Sequence, residues 1–403
     1  MIALKTEFCM KRKNEKKGFI LMFLGILSAF GPFVMDMYLP TLPAMADYFG
    51  TTSSGVQLGL TTGMVGLAVG QLLFGPLSDR YGRRCPLLVA MGLFLLSTWG
   101  CLFSADICQF VAFRFVQGIA GAGGVVISRS IAADKYSGRA LAAMLAVIGA
   151  VNGVASVAAP VAGGVLAGLG GWRGVFWFLW GLGAVLLAAC LYFRESLPAS
   201  RRSHVPWRET LGTFAEVLRN RACLSYILQY GFAMAVLFVN IASAPFIMQQ
   251  HYGLTPVQFS LCFGINAVGM VASSALVVRM PSMQQALHWG NNGMLFFAVL
   301  LMLALSAPCN FWLYELLLFA LLTMVGLSFT AASALAMDSE RHHAGIASAL
   351  LGVIAFAWGG IVSPLVGLGD IRVTAGILFF IGSLCAWVCG LPVPVMQMLR
   401  RRI

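Results

Sequence analysis

The chain has 403 residues, of which 60% are hydrophobic and only 10% are charged. Soluble domains contain roughly 45–50% apolar and about 25% charged residues, so this composition argues against a soluble enzyme, a nucleic-acid-binding protein and a disordered scaffold. The apolar runs are continuous, whereas the strands of a membrane β-barrel alternate in short segments. The formal net charge of +12 is therefore interpreted as a sign of membrane topology.

Twelve apolar segments follow one another along the chain. Each is long enough to supply the roughly 20 apolar residues that a membrane-crossing helix needs. The first six spans are predicted at about 18–44, 54–78, 85–104, 107–133, 140–168 and 173–194. The other six are predicted at about 221–249, 256–279, 286–306, 311–337, 344–368 and 372–393.

These spans predict an all-α membrane protein with twelve transmembrane helices in two six-helix bundles. The predicted division is a cytoplasmic amino terminus, an amino-terminal bundle, a cytoplasmic linker, a carboxy-terminal bundle and a cytoplasmic carboxy terminus, at residues 1–17, 18–194, 195–220, 221–393 and 394–403. With both termini in the cytoplasm, 22 of the 26 basic residues lie on the cytoplasmic side. This orientation follows the excess of Lys and Arg that cytoplasmic loops carry.

An internal repeat relates the two predicted bundles. When the chain is shifted by 204 residues, Asp134 meets Asp338, Pro160 meets Pro364, and Asp36 meets Asn240. Two equal halves related in this way are typical of transporters, in which the substrate site lies between the halves. A channel does not need this arrangement, and a membrane enzyme should show a cluster of His, Asp or Glu at one face.

The loop between spans two and three carries a distinctive pattern from Gly75 to Arg84. It contains two glycines, one acid and three arginines, namely Gly75, Asp79, Arg80, Gly82, Arg83 and Arg84. This pattern resembles the loop signature of the major facilitator superfamily. The resemblance implies that Asp79 closes the cytoplasmic ends of the two halves against each other, near the start of span eleven. The alternative, a loop that only sets topology, explains the arginines but not the acid.

Two further motifs lie in spans four and five. Arg114, Gln117 and Gly118 in span four resemble the superfamily's intramembrane Arg followed by Gln-Gly. Span five resembles the Gly-Pro-x-x-Gly-Gly signature of drug–proton antiporters, with alanine in place of the first glycine, in Ala159, Pro160, Gly163 and Gly164. The alternative is ordinary packing of small residues between membrane helices.

The segment Met35–Pro43 of span one, with the loop pattern and residues 343–348, resembles the bicyclomycin- and chloramphenicol-resistance branch. The resemblance covers nearly the whole chain and is strongest in the first half. It implies the major facilitator fold and export of hydrophobic drugs across the bacterial inner membrane.

Asp36 and Arg114 are the most deeply placed acid and base of the first half. Ionisable groups within a bilayer are costly and usually functional. Both are predicted roughly 10 Å deep from the outer helix ends, so they could face each other. We expect them to couple proton movement to transport, and the alternative is a structural ion pair. Substrate contacts are expected from polar residues of the cavity: Tyr38, Gln57, Gln117, Asn152, Asn240 and Asn266.

The sequence therefore predicts a proton-driven exporter of hydrophobic or amphipathic small molecules that resides as a monomer in the lipid bilayer. No cofactor, metal or nucleic acid is expected, and the protein is predicted not to be an enzyme. Two alternatives stay open. The same fold could transport a specific metabolite or sugar with protons, and a polytopic membrane enzyme is the remote possibility.

Overall fold

The structure, a computed structural model, describes residues 2–136, 138–202, 212, 216–340 and 344–390. The described chain folds into long helices joined by short connections. In chain order they are α1 (Ile2–Asp36), α2 (Leu42–Phe49), α3 (Ser53–Tyr81), α4 (Arg84–Leu102), α5 (Ile107–Lys135), α6 (Gly138–Tyr192), α7 (Arg221–Phe246), α8 (Pro256–Leu276), α9 (Met283–Ser306), α10 (Phe311–Ser339), α11 (Ala344–Val366) and α12 (Ile371–Cys389).

The helix α6 contains two membrane crossings. Its 55 residues would extend about 80 Å as one helix, far more than the roughly 30 Å hydrocarbon core. Gly170 and Gly171 interrupt it with non-helical backbone angles, and Gly171 has a φ of 61°. A Cβ atom on Gly174 would lie 3.1 Å from the carbonyl oxygen of Leu166. Residues eight apart in a continuous helix are separated by roughly 12 Å, so the chain doubles back here.

Eleven segments of the described chain are long and apolar enough to cross a membrane. Because one of them, the part of α6 from Val151 to Tyr192, contains the reversal, they supply twelve crossings. The first crossing is α1 extended by α2, the next three are α3 to α5, α6 supplies the fifth and sixth, and α7 to α12 supply the rest. The prediction of twelve transmembrane helices is confirmed.

The helices pack as two similar groups. In the first half, α5 packs against α1, α3 and α4. In the second half, α10 packs in the corresponding way against α7, α8 and α9. The two halves meet where α3 packs against α11 and where α6 packs against α8. The two contacts are equivalent, because each pairs the second crossing of one half with the fifth crossing of the other.

The internal repeat is visible in the central helices α5 and α10. Both have 29 residues, and their first and last residues are offset by the same 204 positions. The capping residues Asp106 and Asn310 share this offset. Each accepts a hydrogen bond from the backbone N–H three residues later, at 2.8 Å in both helices. A side-chain oxygen at this position satisfies one of the free N–H groups at a helix start.

Candidate transport site

The guanidinium of Arg114 lies at the centre of the first half and is fully buried. It donates to the backbone carbonyl of Val34 at 3.1 Å and to that of Gly59 at 3.3 Å. It also donates to Oε1 of Gln117 at 2.5 Å. Val34 is within the last turn of α1, whose carbonyls lack partners inside the helix. A cation at this helix end is also favoured by the helix dipole.

The packing of α3 on α5 leaves room for this side chain. A Cβ atom on Gly63 would lie 3.1 Å from Nη2 of Arg114. A Cβ atom on Gly118 would overlap the carbonyl oxygen of Gly63. Glycine at both positions therefore lets the two helices approach closely enough for Arg114 to reach across α3 to α1.

Two further side chains complete the surroundings of Arg114. The ring of Tyr38 lies against the guanidinium, with 4.3 Å between the guanidinium carbon and the ring centroid. Gln117 donates from Nε2 to the hydroxyl of Thr98 on α4, at 2.7 Å. Thr98 is not among the predicted site residues, because a threonine within an apolar span carries no distinguishing pattern. Four helices, α1, α3, α4 and α5, thus meet at one arginine.

Asp36 lies at the same level in the membrane as Arg114, since it follows Val34 by two residues at the end of α1. Within the described part of the chain, its half-buried carboxylate forms no ion pair with Arg114 and accepts no hydrogen bond. Arg114 is directed to backbone carbonyls and to Gln117 instead. The direct pairing of the acid with the base is therefore not formed in this structure.

The residues predicted to line the cavity fall into separate places. Tyr38 and Gln117 join Arg114, while Gln57 donates from Nε2 to the carbonyl of Ala242 in the other half, at 3.1 Å. Gln57 Oε1, the Tyr38 hydroxyl and Asn240 Oδ1 are buried without a hydrogen-bond partner. Buried polar atoms are normally paired. Each of these three atoms therefore lacks a partner within the described chain.

Asn266 and Asn152 lie apart from this group. Asn266 on α8 donates to Oε1 of Glu315 on α10, at 3.0 Å, within the second half. Asn152 on α6 is half-buried, and its backbone carbonyl accepts from the hydroxyl of Ser156 at 3.1 Å. The structure therefore does not bring these two residues to Arg114.

The predicted antiporter motif lies where α6 contacts both halves. Ala159 of α6 is fully buried and directly precedes Pro160. A Cβ atom on Gly163 would overlap the carbonyl oxygen of Met37 after α1. A Cβ atom on Gly164 would lie 2.8 Å from the carbonyl oxygen of Pro256 at the start of α8. The paired glycines thus allow α6 to touch the first and the second half at one level.

The loop motif forms a charged cluster beyond the end of α3. Arg83, whose side chain is 7% exposed, donates from Nη1 to Asp79 at 2.5 Å and from Nε to Asp134 at 2.8 Å. Its Nη1 also bonds the hydroxyl of Ser78 at 2.8 Å. Asp134 accepts a further bond from the Ser196 hydroxyl at 3.0 Å. The cluster therefore fastens the ends of α3, α5 and α6 to one another.

The carboxylate of Glu195, which is not among the predicted site residues, caps the start of α4. It accepts from the backbone N–H groups of Arg83 and Arg84 at 2.9 and 3.1 Å. Gly82, with a φ of 89°, brings the loop against it. Burial raises the pKa of Glu195, but hydrogen bonds from the N–H groups of Leu197, Arg83, Arg84 and Ser196 outweigh it and hold this pKa below its ordinary value.

The predicted contact of Asp79 with the start of span eleven lies outside the described residues, because residues 341–343 and the side chains that follow them are not described. The side chain of Asp79 is 51% exposed, and its described partner is Arg83 of its own half. Gly75, Arg80 and Arg84 occupy the same segment, and Nη2 of Arg84 donates to the carbonyl of Leu191 at 2.8 Å.

This architecture, with a buried arginine and unpaired polar atoms near the seam between two six-helix halves, is that of a membrane transporter. The sequence profile of the Major Facilitator Superfamily matches residues 21–364, and the chain belongs to this family.

Relatives of known name agree with this assignment. The chain is 35% identical to an uncharacterised MFS-type transporter, YdgK, of Bacillus subtilis, over 89% of this chain and 91% of that one. It is 29% identical to a bicyclomycin resistance protein homologue of Haemophilus influenzae, over 92% and 94% of the two chains. It is also 29% identical to a chloramphenicol resistance protein of Pseudomonas aeruginosa, over 83% and 79%. The predicted resemblance to this branch is confirmed.

Among solved structures, a bacterial homologue of the human lysosomal transporter Spinster has a similar fold. The TM-score is 0.76 at 16% sequence identity, and the match covers 93% of this chain and 96% of the other. At this identity the likeness concerns the fold alone. Fold and relatives identify the protein as a membrane transporter of small molecules rather than an enzyme.

Proposed function

We propose that this protein is a proton-driven antiporter that exports hydrophobic or amphipathic drugs by alternating access. The names of two relatives, which refer to bicyclomycin and chloramphenicol resistance, support drugs as the substrate class. The observation that carries the proposal is the pair of ionisable groups at one level of the first half. The hydrogen bonds of Arg114 go to neutral groups, whereas the nearby carboxylate of Asp36 is unpaired among the described residues.

An unpaired carboxylate within a membrane span is well suited to bind and release a proton. Desolvation favours its neutral form, while a positive charge nearby favours its ionised form. A drug that displaces water or shifts the guanidinium changes this balance. Asn240 stands at the equivalent position of the second half, where the Asp36 carboxylate is replaced by an amide of similar size. Proton exchange at this level is therefore assigned to the first half.

The energy of one proton suffices for export. A proton entering down about 100 mV releases roughly 2.3 kcal/mol. This amount sustains a drug gradient of roughly 50-fold, since about 1.4 kcal/mol corresponds to a factor of ten. The substrate is proposed to bind at the unpaired polar atoms of Tyr38, Gln57 and Asn240, which lie in buried positions of both halves.

The Asp36→Asn variant tests the proposal. The purified chain is placed in proteoliposomes with an imposed pH gradient, and accumulation of chloramphenicol and bicyclomycin is measured with and without an uncoupler. We expect wild-type accumulation that the uncoupler abolishes, and no accumulation by Asp36→Asn. The matched control is Asp47→Asn, which removes an exposed carboxylate of α2. Uncoupler-insensitive transport, or full activity of Asp36→Asn, would contradict proton coupling through Asp36.

We further propose that the chain is a monomer in the bacterial inner membrane with both termini in the cytoplasm. The excess of basic residues next to the termini and in the loops on their side supports this orientation. A fluorescent protein that folds only in the cytoplasm should be active at the carboxy terminus. Alkaline phosphatase, which is active only in the periplasm, should be inactive there, and the reverse pattern would exclude this topology.

We also propose that Asp79 closes the cytoplasmic side in one state of the cycle. Its exposure and its bond to Arg83, which Asp134 holds from the other side, support this role. Asp79→Ala should insert into the membrane but lose export. Cysteine labelling should then shift towards the state that is open on the side of the termini. Unchanged export would leave Asp79 a determinant of topology only.

A further inference from the structure

A second polar pair lies within the membrane-spanning helices of the other half. Oε1 of Glu315 on α10 accepts a hydrogen bond from Nδ2 of Asn266 on α8, at 3.0 Å. The second oxygen of each group, Oε2 of Glu315 and Oδ1 of Asn266, is buried and has no hydrogen-bond partner in the described chain. Asn266 as a whole is 2% exposed. Two planar groups thus share one hydrogen bond, and each has an unsatisfied acceptor.

One proton would satisfy both unpaired oxygens. A carboxyl group that binds a proton at Oε2 becomes a donor, and the partner it lacks is the amide oxygen of Asn266. The carboxylic acid and the amide would then be joined by two hydrogen bonds, Nδ2–H to Oε1 and Oε2–H to Oδ1. We propose that Glu315 and Asn266 form a second proton-binding site, in the second half, which takes its proton from water and loses its negative charge.

The internal repeat indicates that the packing of α8 against α10 does not require an acid. The positions 204 residues earlier are Val111 and Thr62. There, the hydroxyl of Thr62 donates to the backbone carbonyl of Val111 at 3.0 Å, which fastens α3 to α5 with neutral groups alone. The second half replaces this arrangement with a carboxyl group and an amide. Because an ionisable group in a span is costly, the acid is assigned a function beyond packing.

No counter-ion contacts Glu315 among the described residues. Its own helix contributes the phenol of Tyr314, and α8 contributes the thiol of Cys262. Tyr252 after α7 packs against Tyr314, and its hydroxyl lies 3.1 Å from the sulfur of Cys309. Two basic groups lie near Tyr252: Arg372 and His251 contact each other, and Arg372 also bonds Asp370. A neutral carboxylic acid is therefore the form that these neighbours accommodate.

In the transport cycle, the site would let the second half exchange a proton when its helices move. This role rests on the proton-coupled export proposed above, whereas the binding of the proton does not. A test of proton binding alone therefore distinguishes a failure of this inference from a failure of the transport proposal.

Infrared difference spectroscopy between acidic and alkaline buffer provides that test. The complete chain is reconstituted in lipid nanodiscs, with the proton as the only ligand. We expect a carbonyl band of a protonated carboxyl group that shifts in heavy water and is lost in Glu315→Gln. The band should persist in Asp36→Asn and in the surface control Asp47→Asn. An unchanged band in Glu315→Gln would overturn the proposal.

A second variant keeps the acid and removes its partner. Asn266→Leu should retain a titrating carboxyl band, but the band should move to the frequency of a carboxylic acid with fewer hydrogen bonds. Glu315→Asp, which keeps the carboxyl group on a shorter side chain, should retain the band. If Asn266→Leu leaves the band at its wild-type frequency, the acid–amide pair does not form.

Discussion

Gln57 in the first half donates a hydrogen bond from its side-chain amide to the backbone carbonyl of Ala242 in the second half, at 3.1 Å. Gln249 in the second half donates to the carbonyl of Pro40 in the first, also at 3.1 Å. Both bonds lie towards the end of the bundle remote from the described termini, and both use an uncharged donor and a backbone acceptor. The halves are thus held together there by neutral groups, which the proposed alternating access would have to separate.

Replacing Gln57 by leucine should shift the protein towards the state that opens at that end. A neutral hydrogen bond contributes about 1 kcal/mol, so the ratio of the two states should change roughly fivefold. Spin labels at Leu169 and Trp312, both exposed and in different halves, report the distance by electron paramagnetic resonance. The long-distance fraction should increase in Gln57→Leu. An identical distance distribution would show that this bond does not hold the halves.

Arg114→Lys should lose export although the charge is kept. A single ammonium group cannot replace the planar fork that reaches Val34, Gly59 and Gln117 together. Hydrogen bonds to charged groups are worth about 1.5–3 kcal/mol each, so we expect at least a tenfold loss of transport and a lower unfolding temperature. The control is Arg194→Lys, which lies just after α6 with an exposed side chain. Equal losses in both variants would argue against a special role of the fork.

Glu195 should make stability depend on pH. Its pKa is lowered in the folded protein, so it stabilises the fold above its unfolded pKa of about 4.3, and this contribution is lost as the pH falls through the folded value. Glu195→Gln should therefore be less stable than the wild type at pH 7, with a smaller difference at pH 4. Thermal unfolding in detergent measures this, with the exposed Glu216→Gln as control. A constant difference at both pH values would contradict the assignment.

A neutral polar network should stabilise the second half. Gln229 on α7 donates to Asn291 on α9 at 2.8 Å and to Ser328 on α10 at 2.6 Å. All three are buried, so Gln229→Leu leaves their polar atoms without this partner, which costs about 1–3 kcal/mol. We expect a lower midpoint of thermal unfolding with export retained in the folded fraction. A Ser54→Ala variant, which removes a partly buried bond to Pro364, should be affected less.

The fold was predictable because its two determinants, hydropathy and the internal repeat, are patterns along the sequence. Hydropathy marks the spans, because a helix in lipid must pair its backbone polar groups internally and present apolar side chains to the lipid. The offset of 204 residues appears in the sequence at Asp134 and Asp338, and in the structure at the ends of α5 and α10. The reversal inside α6 follows from Gly170 and Gly171, where the sequence places the gap between two spans.

The partners of individual side chains were decided only by the tertiary structure. Depth from a helix end placed Asp36 and Arg114 at one level, but it could not show that the guanidinium turns to the carbonyl of Val34. Each residue advances a helix by about 100°, so a small rotation decides which neighbour a side chain meets. For this reason Asn266, predicted in the cavity, lies against Glu315, and Gln57 crosses to the other half.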